Sequence, residues 1–178
     1  MKFFINFLTF FRLASGPVIF AMLVVAASPL SAFILFILAS LTDYFDGYLA
    51  RRYSLSSVLG EVLDPIADKI LTLFLLLALI MYFQNSFIAM SGGLILAREF
   101  WVSALRDLNA RQSKTSATKV TFLAKLKTFS QFITFGSFLF GILINNSLII
   151  FLSNFFLLCA TILSLKTALD YTKATFQE

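Results

Sequence analysis

Asp43-Tyr44-Phe45-Asp46-Gly47-Tyr48-Leu49-Ala50-Arg51, followed after eight residues by Gly60 and then by Asp64 and Asp68, is the stretch that decides how this chain is built. Long apolar runs flank it on both sides, and five of the nine acidic residues of the chain fall inside it once Glu61 is counted. An Asp at mid-bilayer costs about 2.5–3.5 kcal/mol on insertion scales, so four of them at membrane depth call for a compensating partner. A divalent cation is the simplest one. Asp43, Asp46, Gly47 and Ala50 stand at i, i+3, i+4 and i+7, one stripe of an α-helix, and Asp64 and Asp68 stand at i, i+4 on the next. Two such helices face to face aim four carboxylates at one small volume, with Gly47, Ala50 and Gly60 leaving room for a ligand. Oxygen donors without Cys or His suit Mg²⁺ or Mn²⁺. Separate salt bridges to Arg51, Arg52 and Lys69 are the plainer reading, but four carboxylates in one register exceed what pairing alone needs.

The rest of the composition agrees with a membrane setting. Of 178 residues, 60% are hydrophobic and 13% charged, about half the charged share of a soluble domain. Mean hydropathy is +0.92. The length suits one domain over residues 1–178, and Lys2 with the Ser28-Pro29-Leu30 turn makes a poor cleavable signal. There is no histidine, which excludes Ser-His triads, His-ligated zinc and histidine bases. The single cysteine, Cys159, lies in an apolar run and reads as a small hydrophobe. A net charge of +5 in such a chain speaks of topology and anionic lipid, not of nucleic acid. The 23 phenylalanines read as lipid-facing or gap-filling side chains.

Six stretches are long enough to span a bilayer: 5–26, 31–52, 60–83, 86–110, 121–144 and 147–172. The expected fold class is therefore all-α, a polytopic membrane protein of six transmembrane helices around a polar cavity. The breaks near 28, 85 and 146 carry no charge, whereas Lys2, Arg51-Arg52, the Arg111 to Lys127 region and Lys173 lie on the other side. The positive-inside rule makes that side cytoplasmic, with both termini on it and the Asp cluster opening towards it. Pro65, one residue past Asp64, removes a helical N–H and predicts a local bend.

The pattern DxxDGxxARx8GxxxDxxxD resembles the signature of the CDP-alcohol phosphatidyltransferases, with every fixed position filled by Asp43, Asp46, Gly47, Ala50, Arg51, Gly60, Asp64 and Asp68. Ala97-Arg98-Glu99, Ser103-Ala104-Leu105-Arg106, and Lys125-Leu126-Lys127-Thr128 with Gln131 are similar to one branch of that family, which makes phosphatidylglycerophosphate, and Asn6 to Arg12 resembles the family's opening helix. The resemblance implies CDP-diacylglycerol as donor, a two-metal site on Asp43, Asp46, Asp64 and Asp68, and Asp68 as the base. It implies a CDP-lipid site at Asn6, Thr9, Gly47, Ala50, Arg51, Ser57 and Gly60. It also implies a homodimer in a bacterial-type inner membrane.

The basic residues suggest the acceptor. A phosphorylated alcohol needs a cationic pocket, and Arg98, Arg106, Lys125 and Lys127 are placed to supply one, which favours glycerol 3-phosphate. Topology and lipid headgroups are the plainer use of the same cations. Inositol phosphate, serine or phosphatidylglycerol as acceptor stays open here, as does a divalent-cation transporter, since intramembrane carboxylates also line ion paths. Arg12 at its depth calls for an acidic partner elsewhere in the bundle, and Asp107 with Arg111 reads as an ordinary i, i+4 pair. The topology is testable: in a Cys159→Ser background, cysteines at Asn85 and Lys114 should react with impermeant maleimide from opposite sides of the membrane. Labelling from one side refutes the six-span arrangement.

Overall fold

The computed structural model describes the backbone of residues 2–53, 58–112 and 122–176, and the side chains of 7–42, 63–112 and 126–176. Ser57 lies outside the described residues. Among them the chain is helical: α1 (Lys2–Phe20), α2 (Pro29–Tyr53), α3 (Val58–Phe83), α4 (Ser86–Arg111), α5 (Phe122–Leu143) and α6 (Ser147–Phe176). These are the six expected spans, with ends moved by a few residues. Five of them are long and apolar enough to cross a membrane. The remaining one, α2, has 25 residues, about 37 Å of helix, and combines an apolar stretch from Pro29 to Thr42 with the charged positions beyond it. The chain is thus a polytopic membrane protein.

Local chemistry sets the helix ends. Pro29 stands at the first position of α2, where a missing N–H is harmless. Asn85 caps α4 by accepting from Phe87 N at 2.8 Å, and Asn146 caps α6 by accepting from Leu148 N and Ile149 N. Ala27, Gln84 and Asn145 each adopt positive φ, which lets the chain reverse within three or fewer residues at the neutral breaks. A π-helical stretch, Ala21–Val25, ends the first span and has no counterpart in the sequence reading. α3 continues through Pro65, and α1 through Pro17.

The helices close into a ring. α1 lies between α2 and α3, α6 lies between α4 and α5, and contacts of α3 with α4 and of α2 with α5 join the two halves. The charge-free part of every span, at least twelve residues long when Ala21–Val25 is counted with α1, lies towards the short-turn end. Here Leu23, Phe36, Leu75, Ile95, Phe138 and Leu157 form one dry core drawn from the whole ring. Phe83 and Phe138 pack at 5.5 Å between ring centroids, and Phe36 and Phe132 at 6.0 Å. Many other phenylalanines, Phe100, Phe151 and Phe176 among them, face outward, as the composition suggested.

The α1–α3 crossing positions the polar end. A Cβ on Gly16 would lie 3.1 Å from Ile70 O and 3.1 Å from Leu71 Cα, both backbone atoms that cannot yield. Close approach at a small residue is how parallel helices gain packing contact in lipid. Gly16→Val should therefore destabilise the bundle by about 1–3 kcal/mol, read as a lower melting temperature in detergent. Gly93→Ala, whose Cβ meets nothing within 4 Å, should leave it no lower than wild type.

Candidate active site

The charged side chains converge on one cavity of about 1050 Å³ lined by α2, α3, α4 and α5. Three carboxylates, Asp64, Asp68 and Glu99, and four cations, Lys69, Arg98, Arg106 and Lys127, share its wall. Apolar residues such as Phe36, Leu75 and Phe135 form its floor towards the dry core.

On one wall, α1 supports the two aspartates of α3. Arg12 is 2% exposed, and its Nη2 donates to Asp64 Oδ1 at 3.1 Å while its Nε pairs with Asp68 Oδ1 at 3.4 Å. Thr9 Oγ1 donates to the same Asp64 Oδ1 at 2.8 Å. The acidic partner expected for Arg12 is thus a pair one helical turn apart. A guanidinium withdrawn from water is tolerable because two carboxylates face it. Both carboxylates remain about half exposed, at 43% and 51%, so they stay open to the cavity while Arg12 is sealed behind them.

Where α4 and α5 line the cavity, Glu99 is the centre. It pairs with Lys127 Nζ from α5 and with Arg98 Nη1 at 3.3 Å. Arg98 and Lys127 are each 6% exposed, so this carboxylate supplies the counter-charge for two buried cations. Arg98 Nη2 also donates to Thr167 Oγ1 at 3.0 Å, and Arg106 Nη2 donates to Tyr171 OH at 2.8 Å, both on α6. Gln131, one turn beyond Lys127 on the same face of α5, is buried and also lines the cavity. Asp107 and Arg111 pair at 2.8 Å at the exposed end of α4, the ordinary ion pair expected there.

The cavity therefore joins Asp64, Asp68, Arg98, Arg106 and Lys127 from the sequence reading, with Thr9 directly behind Asp64. Asp43, Asp46, Gly47, Ala50 and Arg51 lie on α2, Gly60 on α3, Asn6 on α1 and Lys125 on α5, and their side chains lie outside those described. Among the described residues no three Asp, Glu, Cys or His side chains gather into a metal-binding group. Asp64 and Asp68 fit such a centre in donor chemistry, being half-exposed hard oxygen donors one turn apart. Glu99 had no role in the sequence reading. Its signal was present, because an acidic residue in a span next to Arg98 needs a cation on each side.

A family model for CDP-alcohol phosphatidyltransferases matches residues 4–165. The chain belongs to this family. It is a phosphatidyltransferase by that membership, and the family generally depends on a divalent metal. The chain is 36% identical over 128 residues, 71% of its length and 70% of the relative's, to the CDP-diacylglycerol–glycerol-3-phosphate 3-phosphatidyltransferase of Escherichia coli (strain K12). The same identity and coverage relate it to the proteins of that name from Shigella flexneri serotype 5b (strain 8401) and Shigella sonnei (strain Ss046).

The Glu99 cluster gives a direct test. Glu99→Gln leaves Lys127 and Arg98 buried without their carboxylate and should destabilise by about 3–5 kcal/mol. Adding Lys127→Met should recover part of that loss, because the orphaned ammonium is gone. Thermal unfolding of the two single variants and the double variant measures the coupling. Equal, additive losses would show that the pair is not coupled.

Proposed function

We propose that this phosphatidyltransferase moves the phosphatidyl group of CDP-diacylglycerol to sn-glycerol 3-phosphate, giving phosphatidylglycerophosphate and CMP. The observation that carries this reading is the cavity itself, lined by Asp64 and Asp68 from α3 and by Arg98, Arg106 and Lys127 from α4 and α5. A nucleotide-linked lipid needs the carboxylates, through metal, and a phosphorylated alcohol needs the cations. The activity named for the relatives supports the same donor and acceptor. Cation transport has little support, because the helices contribute only uncharged residues between the cavity and the short-turn end.

Asp43, Asp46, Asp64 and Asp68 would hold Mg²⁺ or Mn²⁺. When bound, the metal neutralises the pyrophosphate and the leaving phosphate. Arg51 clamps a phosphate, and Asn6, Thr9, Gly47, Ala50, Ser57 and Gly60 form the CDP-lipid site. Asp68 takes the proton of the acceptor hydroxyl as its oxygen attacks the phosphorus esterified to diacylglycerol. The bond from that phosphorus to the bridging oxygen breaks, and CMP leaves with the electron pair. Arg12 keeps Asp68 aimed into the cavity through its Nε contact. The chain has no histidine to activate a serine, so the acceptor attacks directly and configuration at phosphorus inverts. Arg98, Arg106, Lys125 and Lys127 bind the acceptor phosphate. The whole chain acts as one domain, as a homodimer in a bacterial-type inner membrane, with the cavity open to the cytoplasm.

An acceptor panel with CDP-diacylglycerol tests this. CMP release should require glycerol 3-phosphate together with Mg²⁺ or Mn²⁺, and be weak with inositol phosphate, serine or phosphatidylglycerol. Asp43→Asn, Asp46→Asn and Asp64→Asn should each abolish it. Asp68→Asn should bind CDP-diacylglycerol yet lose about 10²–10⁴ in rate, the usual share of a general base. Preference for another acceptor overturns the substrate assignment, and full activity of Asp68→Asn overturns the base.

A further inference from the structure

α4 and α6 meet along four polar rungs. Arg98 Nη2 donates to Thr167 Oγ1 at 3.0 Å, Trp101 Nε1 to Thr172 Oγ1 at 2.9 Å, Arg106 Nη2 to Tyr171 OH at 2.8 Å, and Asn109 Nδ2 to Thr175 Oγ1 at 2.9 Å. In each, α4 supplies an N–H and α6 a hydroxyl oxygen. The hydroxyls of Thr167, Thr172 and Thr175 donate their own protons to carbonyls of α6, those of Ser164, Ala168 and Tyr171, each at 2.8 Å. With the proton committed to the helix, the lone pairs are held towards α4.

The rungs are of two kinds. Trp101 and Asn109 are not among the residues lining the cavity, and their rungs only join helices. Arg98 and Arg106 line it, so their rungs each fasten a cation of the cavity wall. A guanidinium on a three-carbon stem has many rotamers, and one nitrogen fixed to a hydroxyl removes most of them. Arg106 is held twice, because the Tyr171 ring also lies against it, with Cζ 5.1 Å from the centroid. Arg98 is held between Thr167 and Glu99. Helix joining alone does not require that the donor be a guanidinium, nor that it reach a cavity.

We infer that Thr167 and Tyr171 are positioning residues for recognition of the acceptor phosphate: they fix Arg98 and Arg106 so that the phosphate meets a preformed pair of cations. The inference rests on the acceptor proposed above. Both hydroxyls lie past residue 165, where the family match ends, so this support comes from a part of α6 that the match does not reach. Glu99 shares the hold on Arg98 with Thr167 but pairs otherwise with Lys127, so the hold on Arg106 falls to Tyr171.

Steady-state kinetics on the full chain in detergent separate positioning from packing. Thr167→Val and Tyr171→Phe should each raise KM for glycerol 3-phosphate about tenfold, with kcat and KM for CDP-diacylglycerol within about twofold of wild type. Thr167→Ser keeps the hydroxyl and should restore the wild-type KM. Thr172→Val and Thr175→Val break the two rungs without a cavity cation and should leave acceptor KM unchanged, whatever they do to the melting temperature. Tyr171→Phe is nearly isosteric, so it carries the test if Thr167→Val does not fold. An unchanged acceptor KM in the Thr167 and Tyr171 variants overturns the inference, as does an equal rise in all four. Wild-type enzyme that ignores glycerol 3-phosphate overturns the acceptor reading instead, and this inference with it, before any variant is made.

Discussion

A guanidinium sealed from water at membrane depth is the constraint around which the polar half of this protein is arranged. Arg12 has two carboxylates for company, Asp64 and Asp68, and neither belongs to its own helix. α1 must therefore lie along α3 in one register, and Gly16 lets the two backbones approach closely enough for Arg12 to reach both. The pairing also works in reverse. Two aspartates one turn apart repel each other, and a buried cation behind them offsets that repulsion while leaving their cavity faces uncovered. The first helix thus sets where the carboxylates of the third helix point, although none of its described side chains lines the cavity.

A second cluster does the same for the other half of the ring. Glu99 is one anion for Arg98 on its own helix and Lys127 on α5, and α6 supplies hydroxyls from behind. Each half of the bundle consequently has a support helix, α1 between α2 and α3 or α6 between α4 and α5, that holds charged side chains of a neighbour. The carboxylates that Arg12 supports are on α3, and the cations Arg98, Arg106 and Lys127 are on α4 and α5. For the reaction proposed above, that division offers a metal-neutralised pyrophosphate and a bare phosphate separate complements.

The sequence disclosed the helices well because the signal there is simple. Uncharged runs end at Ala27-Ser28-Pro29, Gln84-Asn85 and Asn145-Asn146, and the structure turns at each of them. It picked out Asp64, Asp68, Arg98, Arg106 and Lys127, which line one cavity, for a related reason, since a charge inside an apolar run stands out. Partners were harder. That Arg12 needed a carboxylate was legible; that it takes Asp64 and Asp68 depends on how α1 is rotated about its axis. The role of Glu99 depends on α5 reaching α4 across the ring. Thr167 and Tyr171 were silent because α6 is apolar nearly all round, so its periodicity does not say which face turns inward. The π-helical stretch at Ala21–Val25 left no compositional trace either.

The dry core beneath the cavity has an electrical meaning. In each span, Ala21–Val25 being counted with α1, at least twelve residues run from the last charge to the short-turn end, about 18 Å of α-helix. The hydroxyls and amide found in that slab, such as Ser153, Thr134, Ser137 and Asn154, turn back onto carbonyls of their own helices. These four bond within their own helices and link no two helices. A layer that is apolar and free of charge is an electrical barrier, and it separates the charged cavity from the short-turn end of the bundle.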